Sequence, residues 1–296
     1  MAEVKDASPR GVLVPGALGD KFSLARYFPG ETLAPFVEHY WLVKWDRRGE
    51  PDYYQETLPF PSVHAVVEDA SSEVFGVMTT RFRRCVSGAG RGFGIKWRPG
   101  AFFPYFARDL AELTDKVVPL REVFGPDADD FTRALLSASD DHAQVSLADA
   151  FLTERQRLAP PSAEGALVGR LVDALSEVPS EGTSLAVVRV EAVAERFSIG
   201  RRTLERLFRR YVGVSPKWVQ MRARLHEATS RIAADPARDL TALSADLGYT
   251  DQAHFIRDFS ALVGVTPSRY AARCAAMPGA DSARVASMRS RARGSA

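Results

Sequence analysis

Val212-Gly213-Val214-Ser215-Pro216 recurs as Val263-Gly264-Val265-Thr266-Pro267, and Gly264 stands 51 residues after Gly213. Reading backwards in that register pairs Phe208 with Phe259, Arg206 with Arg257, Leu204 with Phe255 and Ala194 with Ala245. One helical unit is used twice. In each copy the glycine suits a left-handed helix end, and the hydroxyl residue before proline suits an N-cap followed by the first helical position.

Working outward, Glu164 to Arg273 reads as seven helices. Leu167, Leu171, Leu175 and Val178 stripe the first, with Pro179 and Gly182 as its stop. A short helix, Val190 to Arg196, is followed by the turn Phe197-Ser198-Ile199-Gly200. A third helix, Arg201 to Tyr211, carries Leu204, Leu207, Phe208 and Tyr211 at core spacing. That is a helix-turn-helix pattern. Pro216 to Ala233 makes a long helix with Trp218, Met221, Leu225, Ala228 and Ile232 on one side. Its length of ~27 Å, with the widths of the flanking units, sets the two copies about one DNA turn apart, ~34 Å. Leu240 to Leu247, the turn Gly248-Tyr249-Thr250, and Asp251 to Val263 repeat the pattern, and Thr266-Pro267 opens a closing helix.

The chain has 296 residues, 46% of them hydrophobic, enough for two domains with real cores. No run approaches the ~18 apolar residues of a membrane span, and the start carries no apolar leader, so a cytoplasmic location is expected. From Phe22 to Val123, aromatics, prolines, glycines and short alternating runs predict strands, among them Val63 to Val67, Glu73 to Met78 and Phe93 to Trp97. Helical spacing resumes at Asp129 to Ser137, through Phe131, Leu135 and Leu136, and at Val145 to Leu158, through Leu147, Ala150 and Phe151. Ala159-Pro160-Pro161-Ser162 reads as a connector. The expected class is α+β: a flexible start (1–20), a β-rich effector or dimerisation domain (21–125), connecting helices and linker (126–163), an all-α domain with two helix-turn-helix motifs (164–275), and a disordered basic tail (276–296).

Net charge is only +2, but its distribution is informative. Between Arg201 and Arg224 stand Arg201, Arg202, Arg206, Arg209, Arg210, Lys217, Arg222 and Arg224 against the single acid Glu205. Such a run is either a solvated helix face or a polyanion site, and its place in a duplicated helical unit favours the second. With the core faces assigned, Arg201, Arg202, Glu205, Arg206 and Arg209 point outward from the first presumed reading helix, and Gln252, Ala253, His254 and Arg257 from the second. Arginine grips guanine, glutamine grips adenine, and glutamate accepts from cytosine, so these side chains suit base edges in the major groove. Glu205 equally suits pairing with its arginine neighbours, and His254 a capping or packing role. Arg209, Arg210 and Lys217 come later and suit phosphates.

The segment Arg201-Arg202-Thr203-Leu204-Glu205-Arg206-Leu207-Phe208 and Gly213-Val214-Ser215-Pro216, then Leu247-Gly248-Tyr249, Phe255, Arg257, Phe259, Gly264 and Thr266-Pro267, resembles the DNA-binding domain of AraC-type (AraC/XylS) transcription regulators. The resemblance covers roughly the last third of the chain. It implies two helix-turn-helix motifs in successive major grooves on one DNA face. The positions matching Arg202, Glu205, Arg206, Gln252, Ala253, His254 and Arg257 then lie on the DNA side. Ala253 departs from the polar residues often found there and leaves a thymine methyl contact. His39-Tyr40-Trp41 and Gly94-Ile95-Lys96-Trp97-Arg98-Pro99-Gly100-Ala101-Phe102 resemble the aromatic-rich N-terminal domain of actinobacterial members of that family. A bacterial regulator is implied, with double-stranded DNA as partner and RNA polymerase, a small-molecule effector and a second copy of the chain as further candidates. Asp129 to Leu158 is the candidate dimer segment.

Trp41, Lys96, Trp97, Arg98, Phe102 and Tyr105 are candidates for an effector pocket, aromatic walls with Lys96 or Arg98 fixing a polar group, set against the alternative that the aromatics are ordinary core. The first domain has His39 and His64 but no His-x-His pair, so neither metal nor other cofactor is expected. Phosphate loops, nucleophile elbows and zinc-protease motifs are absent from the sequence, and no enzyme is expected. Cys85 beside Arg83 and Arg84 keeps open an alternative, a small-molecule-binding or cysteine-reactive sensor whose DNA contact is secondary.

Overall fold

The computed structural model describes residues 4–5, 13, 21–158, 162–178 and 189–276. The expected connector at 159–161, the helix stop at 179–182 and the tail from 277 lie outside the described residues.

The first half is a seven-stranded antiparallel sheet in the order β1-β2-β3-β8-β5-β6-β9. Its strands are β1 (Val4–Lys5), β2 (Phe22–Tyr27), β3 (Val37–Arg47), β5 (His64–Glu68), β6 (Ser71–Phe75), β8 (Gly88–Trp97) and β9 (Val117–Pro119). A separate ribbon pairs β4 (Tyr53–Thr57) with β7 (Phe82–Val86). The longest ladder joins β3 to β8, with Tyr40 opposite Ile95 and Trp41 opposite Gly94. Strand alternation sends Tyr40, Leu42, Phe93, Ile95 and Trp97 into the core, together with Ala65 and Val67 of β5. On the other face Gly90 and Gly94 lie beneath Trp45 and Trp41. A Cβ on Gly94 would stand 1.8 Å from the Trp41 ring, so the tryptophan is seated by the missing side chain. These alternating glycines hide the start of β8 from a hydrophobicity reading, which picked up only Phe93 to Trp97.

Short α1 (Phe103–Phe106) and α2 (Leu120–Phe124) precede α3 (Asp127–Ser137) and α4 (Asp141–Leu158). The last two cover the sheet through Phe131, Leu135, Val145, Ala148 and Leu152. The buried stripe of α4 is displaced from the one expected: Val145, Ala148 and Leu152 are deep, whereas Ala150 is exposed and Leu147 half-buried. Tyr40 on the sheet donates to Asp149 at 2.6 Å, a polar bond that fixes α4 against β3.

The second half is all helix: α5 (Ala163–Ser176), α6 (Val190–Arg196), α7 (Arg201–Tyr211), α8 (Pro216–Ala234), α9 (Leu240–Asp246), α10 (Gln252–Val263) and α11 (Pro267–Ala275). The Ser162, Ser215, Asp239, Asp251 and Thr266 side chains each accept from a backbone N–H in the first turn of the helix that follows. Two cores form. Val193, Leu204, Leu207, Phe208 and Tyr211 gather with α5 in one, and Leu243, Leu247, Phe255, Phe259 and Tyr270 in the other.

The duplication is exact in its second and third helices and slips in its first. α7 and α10 open at Arg201 and Gln252, α8 and α11 at Pro216 and Pro267, in the 51-residue register. The first helices open at Val190 and Leu240, one residue short of it. Val193 therefore corresponds to Leu243, both buried, and Ala194 to Ser244 rather than Ala245. The turn of the second motif is one residue longer. In both turns the left-handed position follows the short helix at the same distance, occupied by Ser198 (φ 55°) in one and Gly248 (φ 74°) in the other.

Candidate nucleic-acid interface

Each candidate reading helix buries one face and exposes the other. On α7, Leu204, Leu207, Phe208 and Tyr211 are buried, while Arg201, Arg202, Glu205, Arg206 and Arg209 are exposed. On α10, Phe255, Phe259, Leu262 and Val263 are buried, while Gln252, Ala253 and Arg257 are exposed and His254 is half-buried. Lys217, at the start of α8, is exposed as well.

The exposed groups differ in what restrains them. Arg201 pairs with Glu205 at 3.0 Å along the helix, so two candidate readers hold each other. Arg206 reaches Glu164 at the start of α5, at 3.4 Å. Arg209 reaches Asp109 of the first domain at 3.2 Å. Arg210 is half-buried, and its guanidinium lies 4.5 Å from the Phe103 ring, also of the first domain. Among the described residues, Arg202, Gln252 and Arg257 meet no side-chain partner.

His254 is held within its own motif. Its backbone N–H donates to Asp251, its ring packs edge-on against Tyr249 with centroids 5.3 Å apart, and Nε2 lies 3.3 Å from Asp258 Oδ2. Tyr249 in turn has the Arg224 guanidinium 4.5 Å from its ring. Arg224 thus supports the second motif from α8 instead of extending the basic stripe. Arg222 leaves the stripe altogether: it is buried, and Nε donates to the Pro59 carbonyl of the first domain at 2.8 Å. Helical spacing marks one apolar face of α8, and no periodic signal marks the polar face that docks on a second domain.

The first domain touches both copies at the repeated glycine turn. Gly213 (φ 96°) accepts from Thr114 Oγ1 through its carbonyl at 2.7 Å, and a Cβ there would stand 2.8 Å from the Leu110 carbonyl oxygen. At Gly264 (φ 80°) the Arg81 guanidinium fills the equivalent space and donates to the Val263 carbonyl at 3.2 Å. Val77 joins the core of the first motif, and Leu13 and Leu58 join that of the second.

The six pocket candidates do not share a cavity. Trp97 and Phe102 are almost fully buried and pack with Tyr105 and Phe124 in the core, Trp97 and Phe102 at 4.8 Å between centroids. Tyr105 donates to Gln156 at 2.7 Å. Alternation puts Trp41 and Lys96 on the opposite sheet face, and Arg98 is exposed with Nε donating to the Ala34 carbonyl. Beside α3 and α4, Leu42, Phe93, Leu135 and Gln144 line a cavity of about 50 Å³, room for water rather than for a metabolite. Cys85 is exposed on β7, but Arg84 pairs with Glu68 and Arg83 stacks on Tyr54, 3.7 Å from its centroid. Among the described residues no group of His, Cys, Asp and Glu is arranged to hold a metal, and no helix is long and apolar enough to cross a membrane.

With that geometry in view, residues 193–273 match the family model of a helix-turn-helix domain. The C-terminal domain is an AraC-type helix-turn-helix domain. Residues 25–119, the sheet that docks on this AraC-type domain, match a domain of unknown function. Among solved structures the chain is similar to ToxT from Vibrio cholerae O395, at 10% identity and TM-score 0.36, covering 76% of this chain and 90% of that one. ToxT bound to (E)-4-(8-methylnaphthalen-1-yl)but-3-enoic acid matches at 9% identity and TM-score 0.37, covering 86% and 98%. Unsaturated fatty acid bound ToxT of strain SCE256 matches at 11% and 0.34, covering 86% and 95%. No curated protein matches the chain.

Proposed function

We propose that the chain is a sequence-specific transcription regulator that lays α7 and α10 into successive major grooves of double-stranded DNA, with the N-terminal sheet domain controlling how the two motifs are presented. The observation that carries this reading is the equivalence of Arg206 and Arg257. They occupy the same position of the two motifs, both exposed, each on a helix whose opposite face is buried. Arg201, Arg202, Glu205, Gln252, Ala253 and His254 flank them as base readers. Lys217, Arg209 and Arg210 hold phosphates, Arg209 once it leaves Asp109 and Arg210 once it leaves the Phe103 ring.

The contacts at Gly213, Gly264 and Arg222 support control by the first domain, because they couple that domain to both motifs and to the helix between them. A small-molecule effector acting there would do so by shifting this coupling. The engaged arginines beside Cys85 give the cysteine-reactive alternative no support. Selection of bound sequences from a random DNA pool, with the full-length protein and its variants, tests the reading. Arg206→Ala and Arg257→Ala are each expected to cost about 1–3 kcal/mol at the selected site and to relax preference at one or two base pairs, whereas Lys217→Ala weakens all sequences alike. Equal losses on selected and random DNA for all three would overturn it.

A further inference from the structure

Three of the chain's five histidines surround Lys96 of the sheet domain, His39 and His64 from the sheet itself and His226 from α8. His226 of α8 has its Nε2 3.0 Å from the Pro59 carbonyl oxygen and its Nδ1 3.3 Å from Arg222 Nη2. Those two bonds define its state. Nε2 must carry the proton to donate to the carbonyl, and Nδ1 must be bare to accept from the guanidinium. A second proton on Nδ1 would set N–H against N–H and a cation against the Arg222 cation.

The surroundings sharpen that conflict. Phe60 forms the floor: its ring lies 4.8 Å from the His226 ring, 4.2 Å from the Arg222 guanidinium and 4.0 Å from Lys96 Nζ. Lys96 and Arg222 are both buried. Around them β3 supplies Glu38 and His39, β5 supplies His64, β8 supplies Lys96 and β2 supplies Arg26, while Asp173 of α5 interacts with Glu38 and Arg98. Glu38 neutralises Lys96 at 2.8 Å, which leaves Arg222 bonded to a carbonyl and a neutral imidazole. The seam therefore holds surplus positive charge, and every proton added to its histidines increases it.

We propose that this histidine seam is an acid-labile latch: proton uptake at His226 and its neighbours releases α8, and with it both helix-turn-helix motifs, from the sheet domain. The latch is independent of the base-reading proposal, since it concerns only the contact between domains. The direction follows from linkage. Burial first, then the neighbouring cations, pushes His226 far below the ordinary histidine range and His64 down to about 3; burial also lowers His39, against the pull of Glu38. A group whose value is depressed in the docked state favours docking above its free value, about 6.5, and loses that contribution as the pH falls below it. Burial works to raise the Glu38 carboxyl, but its bonds to His39 and Lys96 together hold it at about 2, so Glu38 stays charged throughout.

Between pH 7.5 and 5.5 the docking equilibrium is expected to fall about tenfold for each histidine that regains water on release. Amide hydrogen exchange of the full-length protein, corrected for the intrinsic pH dependence of exchange, reads this directly. Protection of segments 58–64 and 219–227 is expected to drop about tenfold or more over that range, while β3 and α4 keep theirs. His226→Gln, which keeps a donor for Pro59 but cannot be protonated, should reduce the pH dependence, and His142→Gln on α4 should leave it unchanged. Unchanged relative protection of both segments in the wild-type protein would overturn the latch, whatever the variants do. So would a full response persisting in His226→Gln.

Discussion

The two helix-turn-helix motifs share a backbone plan but differ in what holds their reading side chains. On α7 the restraints come largely from outside the motif: Arg206 is drawn to Glu164, Arg209 to Asp109 of the sheet domain, and Arg210 to the Phe103 ring. On α10 they come from within, where Asp251 caps the helix and Asp258 and Tyr249 fix His254, leaving Gln252 and Arg257 bare. The scaffold is thus shared, while the contacts of its exposed side chains differ. On the proposed reading, the first motif is the one whose exposed arginines exchange protein partners for DNA.

The shared scaffold gives the largest expected effects. Phe208 and Phe259, equivalent and fully buried, should each cost about 3–5 kcal/mol of stability on substitution by alanine, read by denaturant unfolding. A small loss at either one would break the equivalence. The glycine turns separate the copies. Gly213→Ala forces a left-handed alanine against the Leu110 carbonyl and should cost about 1–3 kcal/mol. Gly264→Ala meets the movable end of Arg81 and should cost about 1 kcal/mol. Equal costs would show that the sheet domain grips both turns alike.

Asp109→Ala releases Arg209 from an exposed ion pair and should raise DNA affinity by roughly two- to fivefold, most visibly at low salt. No change would mean that this pair does not compete with phosphate. Ser198→Gly, matching Gly248 of the second turn, should stabilise the protein by up to about 1 kcal/mol in thermal unfolding, because serine pays for its left-handed conformation.

Legibility in the sequence followed the same division. The starts of α8 and α11 and the ends of α7 and α10 were readable because they are written in residues with local physical meaning, Ser215-Pro216, Thr266-Pro267, Gly213 and Gly264. The one-residue slip between α6 and α9 is present in the starts read for them, Val190 and Leu240, but the pairing of Ala194 with Ala245 missed it, since Ser198 and Gly248 take the same backbone conformation without sharing a residue type. In the sheet domain, aromatic clustering suggested a pocket, but strand alternation divides Trp97 from Lys96 and Trp41, and register fixes which face each one takes. Arg222 read as part of a solvent-facing basic stripe because a helix docked on two sides shows only its apolar side in periodicity. His226 carried no signal at all until Pro59 and Phe60 were placed against it.

Hydroxyl-radical footprinting of the full-length protein on its selected DNA tests the central claim most directly. Two protected patches about ten base pairs apart on one face of the duplex are expected, the one nearer α10 lost in Arg257→Ala and the one nearer α7 weakened in Arg206→Ala. A single patch, or uniform protection unaffected by either substitution, would contradict paired reading by the duplicated motif.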